Sequence, residues 1–446
     1  MIAYKSDSLR HFIKSEMEQC KMNLSSLASL SGINRGALSK TLNSQPPDPM
    51  PFNQLEQITK VFGKPEDWLF EYYIDECFYH GKPNKRRVEP FLIRCGEVGR
   101  SDCIEAVLAR LVEGEFESSD ILFDVAEYLY AGGNVEATIN LYETIIEHEK
   151  SKDSEKIAIS HYRLFRARLS DKHEVNHQLA IRFEPFCDKL PDNYRLEALM
   201  KLANIYFSLN LIDQAEIYSR RLFDFSQALY HSVEAKLRSG HSTWSLNAEY
   251  QLVVYYGYGF MCMENVYSLR GDYKKAGVYT EGYTDLSWFP GLDEHGHKEV
   301  KSFSKFAMQN KMHFKLALGN EDAIEECITW IEENPNELLT TLLYIIRTAN
   351  YSGYCIDSIV ERFHKQVEEF PHEATNYSQN ITLSFNRYVR VCIEYALYYF
   401  NQRKYEQARN YAVKALNADV GINNGKYIFA RLAPLFEHFS DLIPSN

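Results

Sequence analysis

Residues 24–43 read LSSLASLSGINRGALSKTLN, and their spacing decides how the rest of the chain is read. Ala28, Gly32, Ile33, Leu38 and Leu42 fall where two short helices joined by a tight turn need small or apolar residues. Ala28 permits a close crossing, and Gly32 supplies the positive φ that such a turn often requires. Leu27, Leu30, Ile33, Leu38 and Leu42 are predicted to bury on one side. The outer face of the second helix then carries Asn34, Arg35, Gly36, Ser39, Lys40 and Asn43. Short polar and basic side chains of this kind suit a helix laid in the DNA major groove.

More helices are predicted around this pair. Ser8 opens one through about Gln19, with Leu9, Phe12, Ile13 and Met17 as its apolar stripe. SQPPDPMP (44–51) cannot be helical. FNQLEQITKVFG (52–63) spaces Phe52, Leu55, Ile58 and Phe62 as a helix and ends at Gly63. KPEDWLFEYYI (64–74) starts another, with Pro65 near its first position. This order resembles the Cro/phage-repressor (Xre-like) helix-turn-helix family over roughly residues 8–73. The residues carrying the resemblance are Ala28, Gly32-Ile33, Leu38-Ser39 and the LxxI…FG pattern of the fourth helix. It implies base and phosphate contacts by Asn34, Arg35, Ser39, Lys40 and Asn43, with Arg35 pairing to guanine and Asn34 to adenine. Ser25 and Ser26 occupy the start of the first helix of the pair, where the family often places a phosphate-touching Gln.

Composition frames the remainder. At 446 residues the chain exceeds one ordinary domain. Abundant Tyr and Phe (31 and 26) against few Gly and Pro (21 and 14) favour aromatic-rich helix packing. The net charge is −12, yet residues 1–45 hold six cations against three anions, so the acidity lies downstream. A basic head on an acidic body assigns DNA contact to the head. The nine cysteines form no CxxC pair and have no His at zinc-finger spacing, which predicts reduced thiols and no metal or other cofactor. No apolar run approaches the length of a bilayer span and no signal peptide is evident, so a cytoplasmic protein without membrane contact is expected. No P-loop, GxSxG or HExxH motif is present, and catalysis is not expected. DEHGHKE (293–299) reads as a solvated loop.

YHGKPNKRRVEP (79–90) interrupts the helical pattern, and residues 76–90 are predicted as a linker or hinge, with Lys85-Arg86-Arg87 as a possible phosphate contact. Beyond it an aromatic stands nine positions before an alanine five times: Tyr128/Ala137, Tyr206/Ala215, Tyr267/Ala276, Phe314/Ala323 and Tyr399/Ala408. Polar or Gly-containing turns separate the members. Each reads as helix, tight turn, helix, and degenerate pairs are predicted at 158–190 and 338–370. The pattern resembles the tetratricopeptide repeat. Stacked pairs of that kind present a concave surface suited to extended peptides. Eleven positions before the marker alanine stand Asn204 and Asn265; eighteen before it stand Glu197, Tyr258, Lys305 and Arg390. Lys315 lies eight before Ala323. The asparagines can both donate to and accept from a peptide backbone, and the cations can meet a carboxylate.

The expectation is thus an all-α chain. A Cro/repressor-type bundle (1–75) and a linker (76–90) precede a right-handed superhelix of tetratricopeptide-like hairpins (91–446). This combination resembles the peptide-pheromone quorum-sensing regulators of the RRNPP type, found in Gram-positive bacteria and their phages. The resemblance implies a homodimer that binds a palindromic operator in double-stranded DNA and a short signalling peptide that alters DNA binding. Tyr398-Tyr399-Phe400 and FARLAPLFEHF (429–439) are candidate dimer surfaces. Two other readings stay open: a protein-interaction adaptor with a DNA-binding head, and a dual-role regulator that also acts on a phosphorelay protein.

Overall fold

The computed structural model describes residues 6–78, 81–149, 154–170, 172–239, 246–373, 381–418 and 425–441. Among these residues there are 22 α-helices and no strand. Contacts divide the chain into two units: residues 1–169 with 179–191, and residues 170–178 with 192–446. The first holds α1 (Ser6–Gln19), α2 (Leu24–Ser31), α3 (Arg35–Asn43), α4 (Phe52–Val61), α5 (Phe70–Cys77), α6 (Lys85–Glu97), α7 (Ser101–Glu113), α8 (Ser119–Ala131), α9 (Val135–His148) and α10 (Glu155–Arg168). The residues of α11 (His173–Phe183) are divided between the units. The second holds α12 (Asp192–Ser208), α13 (Ile212–Arg238), α14 (Leu252–Leu269), α15 (Tyr273–Thr284), α16 (Glu294–Ala317), α17 (Ala323–Glu333), α18 (Leu338–Ser352), α19 (Asp357–Glu373), α20 (Ile381–Asn401), α21 (Tyr405–Ala418) and α22 (Gly425–Asp441).

Side-chain caps fix where α2 and α3 begin. Asn23 Oδ1 accepts from Ser26 N, and Asn34 Oδ1 accepts from Gly36 N and Ala37 N. These are amides that a helix start otherwise leaves without partners. Between the two helices Gly32 sits at φ +71°, where a Cβ would cost about 1–2 kcal/mol. Leu27, Ala28, Ile33, Leu38 and Leu42 are buried, but Leu30 is 65 % exposed. At 3.6 residues per turn it lies roughly a third of a turn from the stripe formed by Leu27, Ala28 and Ser31. The helix expected from Pro65 starts only at Phe70. Residues 64–69 form turns instead, and Leu69 is left-handed at φ +66°.

The described residues of the predicted linker, 76–78 and 81–90, are not a free connection. Glu76 and Cys77 complete α5 and are buried, and α6 begins at Lys85. Phe91 packs on Phe52, Phe70 and Tyr73 with ring centroids 5.2–5.4 Å apart. Arg100 and Arg110 bind Asp67 (2.8 Å) and Asp75 (2.6 Å), tying the end of the five-helix segment to α7. The first unit accordingly extends far past residue 75. The run KPNKRR hides this in the sequence, because the apolar spacing of α6 starts only at Val88.

In the second unit α12, α14, α16, α18, α20 and α22 each pack on the next member of that series, while α13, α15, α17 and α21 lie against their sequence neighbours. Four of the aromatic/alanine pairs straddle left-handed turn residues: Asn210, Gly271, Gly319 and Arg403. Their alanines, Ala215, Ala276, Ala323 and Ala408, are fully buried. In three of them the aromatic stacks on a tyrosine of the second helix: Tyr206 on Tyr218, Tyr267 on Tyr279 and Tyr399 on Tyr411, at 5.5–5.7 Å. Tyr128/Ala137 departs from this. Tyr128 is 56 % exposed, and the buried pair is Leu129 and Thr138. Left-handed Gly133 stands five residues before Thr138, as Asn210, Gly271 and Arg403 stand before their alanines, whereas Gly319 stands four before Ala323. At Gly259 a Cβ would lie 2.9 Å from the Phe223 Cα, which makes glycine a condition for the α13–α14 crossing. The predicted pairs at 158–190 and 338–370 fall on α10 with α11 and on α18 with α19, but neither is a packed hairpin: α10 lies against α9, and α18 packs chiefly on α20.

Candidate functional site

The exposed side of α3 carries Arg35, Lys40 and Asn43, with Ser39 half-buried among them; Ser25 and Ser26 are exposed at the start of α2. Leu38, Thr41 and Leu42 anchor the opposite side of α3 in the core. Among the described residues neither Arg35 nor Lys40 forms an ion pair, so both charges face solvent. Asn34 departs from its expected role. Its Oδ1 already accepts from Gly36 N (2.8 Å) and Ala37 N (3.2 Å), the atom that bidentate adenine pairing would need. Ser26 is similarly occupied, with N and Oγ at 2.9 and 3.1 Å from Asn23 Oδ1.

Arg10 is one of the six cations of residues 1–45, and the structure buries it. Its guanidinium meets the Glu76 carboxylate (Nη1 to Oε1, 2.6 Å; Nη2 to Oε2, 3.3 Å). It also donates to two carbonyls: Nε to Thr41 O at the end of α3 (2.7 Å), and Nη2 to Asp48 O in the 44–51 loop (2.9 Å). Glu76 Oε2 accepts from Met50 N (2.6 Å), and Glu76 O accepts from Arg87 Nε of α6 (2.5 Å). Arg87 is therefore engaged inward. Lys85 and Arg86 are both exposed, and Lys85 binds Asp124 (2.9 Å). Sequence spacing could not show this, since Arg10 and Glu76 belong to different helices.

The residues singled out in the second unit separate into distinct surroundings. Asn204 is exposed and its Oδ1 accepts from the Tyr258 hydroxyl at 2.6 Å, so the structure joins these two across α12 and α14. Asn265 is exposed on α14. Glu197 is buried and accepts from Glu249 N (2.6 Å); it shapes a loop instead of facing solvent. Lys315 is bound to Glu326 (3.0 Å), and Lys305 lies over the Trp330 ring at 5.7 Å. Arg390 is half-buried and engaged. Tyr398 is also buried, accepting from Ile356 N and donating to Asp357, which removes it as a candidate dimer surface. Phe429 and Phe436 of the C-terminal segment are exposed.

Polar groups missed in the sequence occupy the seams between helices. Buried Glu264 accepts from Tyr283 Oη (3.0 Å) and Asn310 Nδ2 (2.8 Å). Burial pushes its carboxyl up to about 7, against the opposing pull of those hydrogen bonds. Buried His313 stacks on Tyr344 at 4.1 Å and contacts Thr341, and desolvation drives its imidazole down to about 3. Glu394 binds Arg347 (3.1 Å) and Arg431 (2.6 Å) between α18, α20 and α22. One sequence signal was available: counted back six residues from the left-handed turns, Asn204, Asn265, His313 and Arg347 align.

DEHGHKE is not a loop. Asp293 caps α16, and His295 Nδ1 lies 3.9 Å from Glu299 Oε1 one turn on. Among the described residues no group of three His, Cys, Asp or Glu is placed to hold a metal ion, and no helix is long and apolar enough to cross a membrane. No family model matches the chain, and no curated protein matches it in sequence.

Proposed function

We propose that this protein is a DNA-binding transcriptional regulator of the RRNPP type. Its α2–α3 pair acts as an Xre-like helix-turn-helix, and α12–α22 act as a right-handed, tetratricopeptide-like array that binds a short signalling peptide. The observation that carries the DNA reading is the outer face of α3. There Arg35, Ser39, Lys40 and Asn43 have no carboxylate partner among the described residues, in a chain of net charge −12. Arg35 and Lys40 supply phosphate or guanine contacts, and Asn34 sets where α3 begins. A homodimer presents two such helices to half-sites about 34–36 Å apart, or a multiple of that. Peptide bound along Asn204, Tyr258 and Asn265 changes DNA affinity to the extent that it binds two conformations unequally.

The test is binding of the purified protein to the DNA upstream of its own gene, with and without synthetic peptides encoded by a neighbouring small open reading frame. A peptide-dependent change in affinity, lost in Asn204→Ala or Asn265→Ala, supports the regulator reading. DNA binding indifferent to every peptide removes the peptide half and leaves the adaptor reading. No DNA binding at all removes the regulator.

A further inference from the structure

Arg10 is a cation that the solvent-facing charge of the head does not use. It is 5 % exposed, and Glu76 is 3 % exposed. A buried ion pair is a costly element that simple packing does not require, since apolar residues of similar volume often serve as well. Its presence here coincides with an unusual distribution of bonds. One guanidinium holds the last turn of α3 through Thr41 O, the 44–51 loop through Asp48 O and α5 through the Glu76 carboxylate. That carboxylate in turn holds the same loop at Met50 N. Tyr73 donates to Met50 O at 2.8 Å, closing the loop's attachment. The backbone of Glu76 is gripped by Arg87 from α6.

The 44–51 segment contains Pro46, Pro47, Pro49 and Pro51, which lack the amide donors that would let it order itself. Asp48 N ties the loop to α3 through Lys40 O (3.2 Å), and the rest of its placement depends on donors and acceptors brought from elsewhere. Arg10 and Glu76 bring them. Planar, five-donor arginine can meet two carbonyls and a carboxylate at once, which a lysine ammonium cannot do with the same fixed geometry.

We infer that Arg10 and Glu76 are positioning residues for DNA recognition: together they set the orientation of α3 and the path of the 44–51 loop, and Arg87 connects that setting to α6. The inference rests on the DNA-binding reading of α3. Neither residue touches DNA. They act by holding Arg35, Ser39, Lys40 and Asn43 at fixed places, so that discrimination between sequences depends on them more than attraction to phosphate does. Base contacts demand a defined geometry, whereas phosphate attraction is mostly charge.

The experiment uses the full-length protein and two probes, a duplex that the wild type selects from a randomised pool and a non-selected duplex of equal length. Arg10→Lys keeps the charge and loses the fork. Glu76→Gln keeps the shape and puts an amide near Met50 N. The expected result is at least a tenfold fall in the ratio of specific to non-specific affinity for both variants, with non-specific affinity nearly unchanged. A smaller active fraction would lower both affinities alike and leave the ratio intact, so the ratio separates positioning from mere loss of folded protein. Should Arg10→Lys fail to fold, Glu76→Gln and Arg87→Met carry the test, with faster hydrogen exchange at Met50 N as the accompanying sign. Folded variants that keep the wild-type ratio overturn the positioning role while the DNA reading stands. A wild type that enriches no duplex overturns both.

Discussion

The α3 surface and the helices of the second unit both space polar side chains along a helix, and these fare differently. On α2–α3 the flagged residues stay in solvent: Arg35, Lys40, Asn43 and both serines are exposed, and Ser39 is half-buried. In the second unit Asn204, Asn265, Lys305 and Lys315 are exposed as well, but Asn204 is bonded to Tyr258, Lys315 is paired with Glu326 and Lys305 lies over Trp330, while Glu197 is buried. Helix neighbours explain the contrast. α3 buries one stripe and leaves the rest to water. A helix such as α14 packs on α12, α13, α15 and α16, so a polar residue there has several chances to meet a partner. Spacing on one helix identifies a surface only where the helix has few neighbours.

That contrast can be broken at several points. The largest effect is expected from removing one member of the buried pair. Arg10→Met strands the Glu76 carboxylate and should cost about 3–5 kcal/mol in denaturant unfolding of the first unit. A loss below about 1 kcal/mol would show the pair to be solvated like a surface bridge.

The next effect tests whether polar groups in the second unit belong to its seams. Glu264 has its carboxyl raised from 4.5 to about 7, so the folded state holds this proton more tightly than the unfolded chain. The resulting stabilisation is fully present below pH 4.5 and is lost as pH rises through about 7, a change of roughly 3 kcal/mol for this shift. Thermal unfolding of Glu264→Gln should show that decline removed, with the variant overtaking the wild type above pH 7. Parallel pH profiles would mean that Glu264 is solvated.

A smaller effect separates two neighbours on α3. Asn34→Ala removes the helix cap and should cost about 1 kcal/mol of stability. Arg35→Ala should leave stability within about 0.5 kcal/mol, as expected for a surface change, and lower DNA affinity instead. If Arg35→Ala destabilises as much as Asn34→Ala, α3 is not the open surface described. The smallest effect belongs to Lys315→Ala. Its exposed pair with Glu326 is worth about 0–1 kcal/mol, and peptide affinity should not depend on it.

The amino-acid sequence by itself determined the helical class, the turn at Gly32, the inward stripe of α3 and the buried alanines of the second unit. These follow from interactions within one helix or between two helices adjacent in sequence, where periodicity and a left-handed turn residue suffice. The register slip at Tyr128 was not legible there: Gly132 stands five residues before Ala137 as Gly133 does before Thr138, and only the left-handed backbone at Gly133 chooses between them. Tertiary structure decided the rest. It showed that Arg10 is a clamp and not a free charge, that Asn34 is a cap whose acceptor is spent, and that residues 76–90 complete α5 and open α6. It also joined Asn204 to Tyr258 and buried Glu197 and Glu264. The Asn34 cap is local, bonded two and three residues on; the others depend on partners in helices well away along the chain, and hydrogen bonds over about 3 Å are settled by which helices meet. Spacing along one helix carries no information about that meeting.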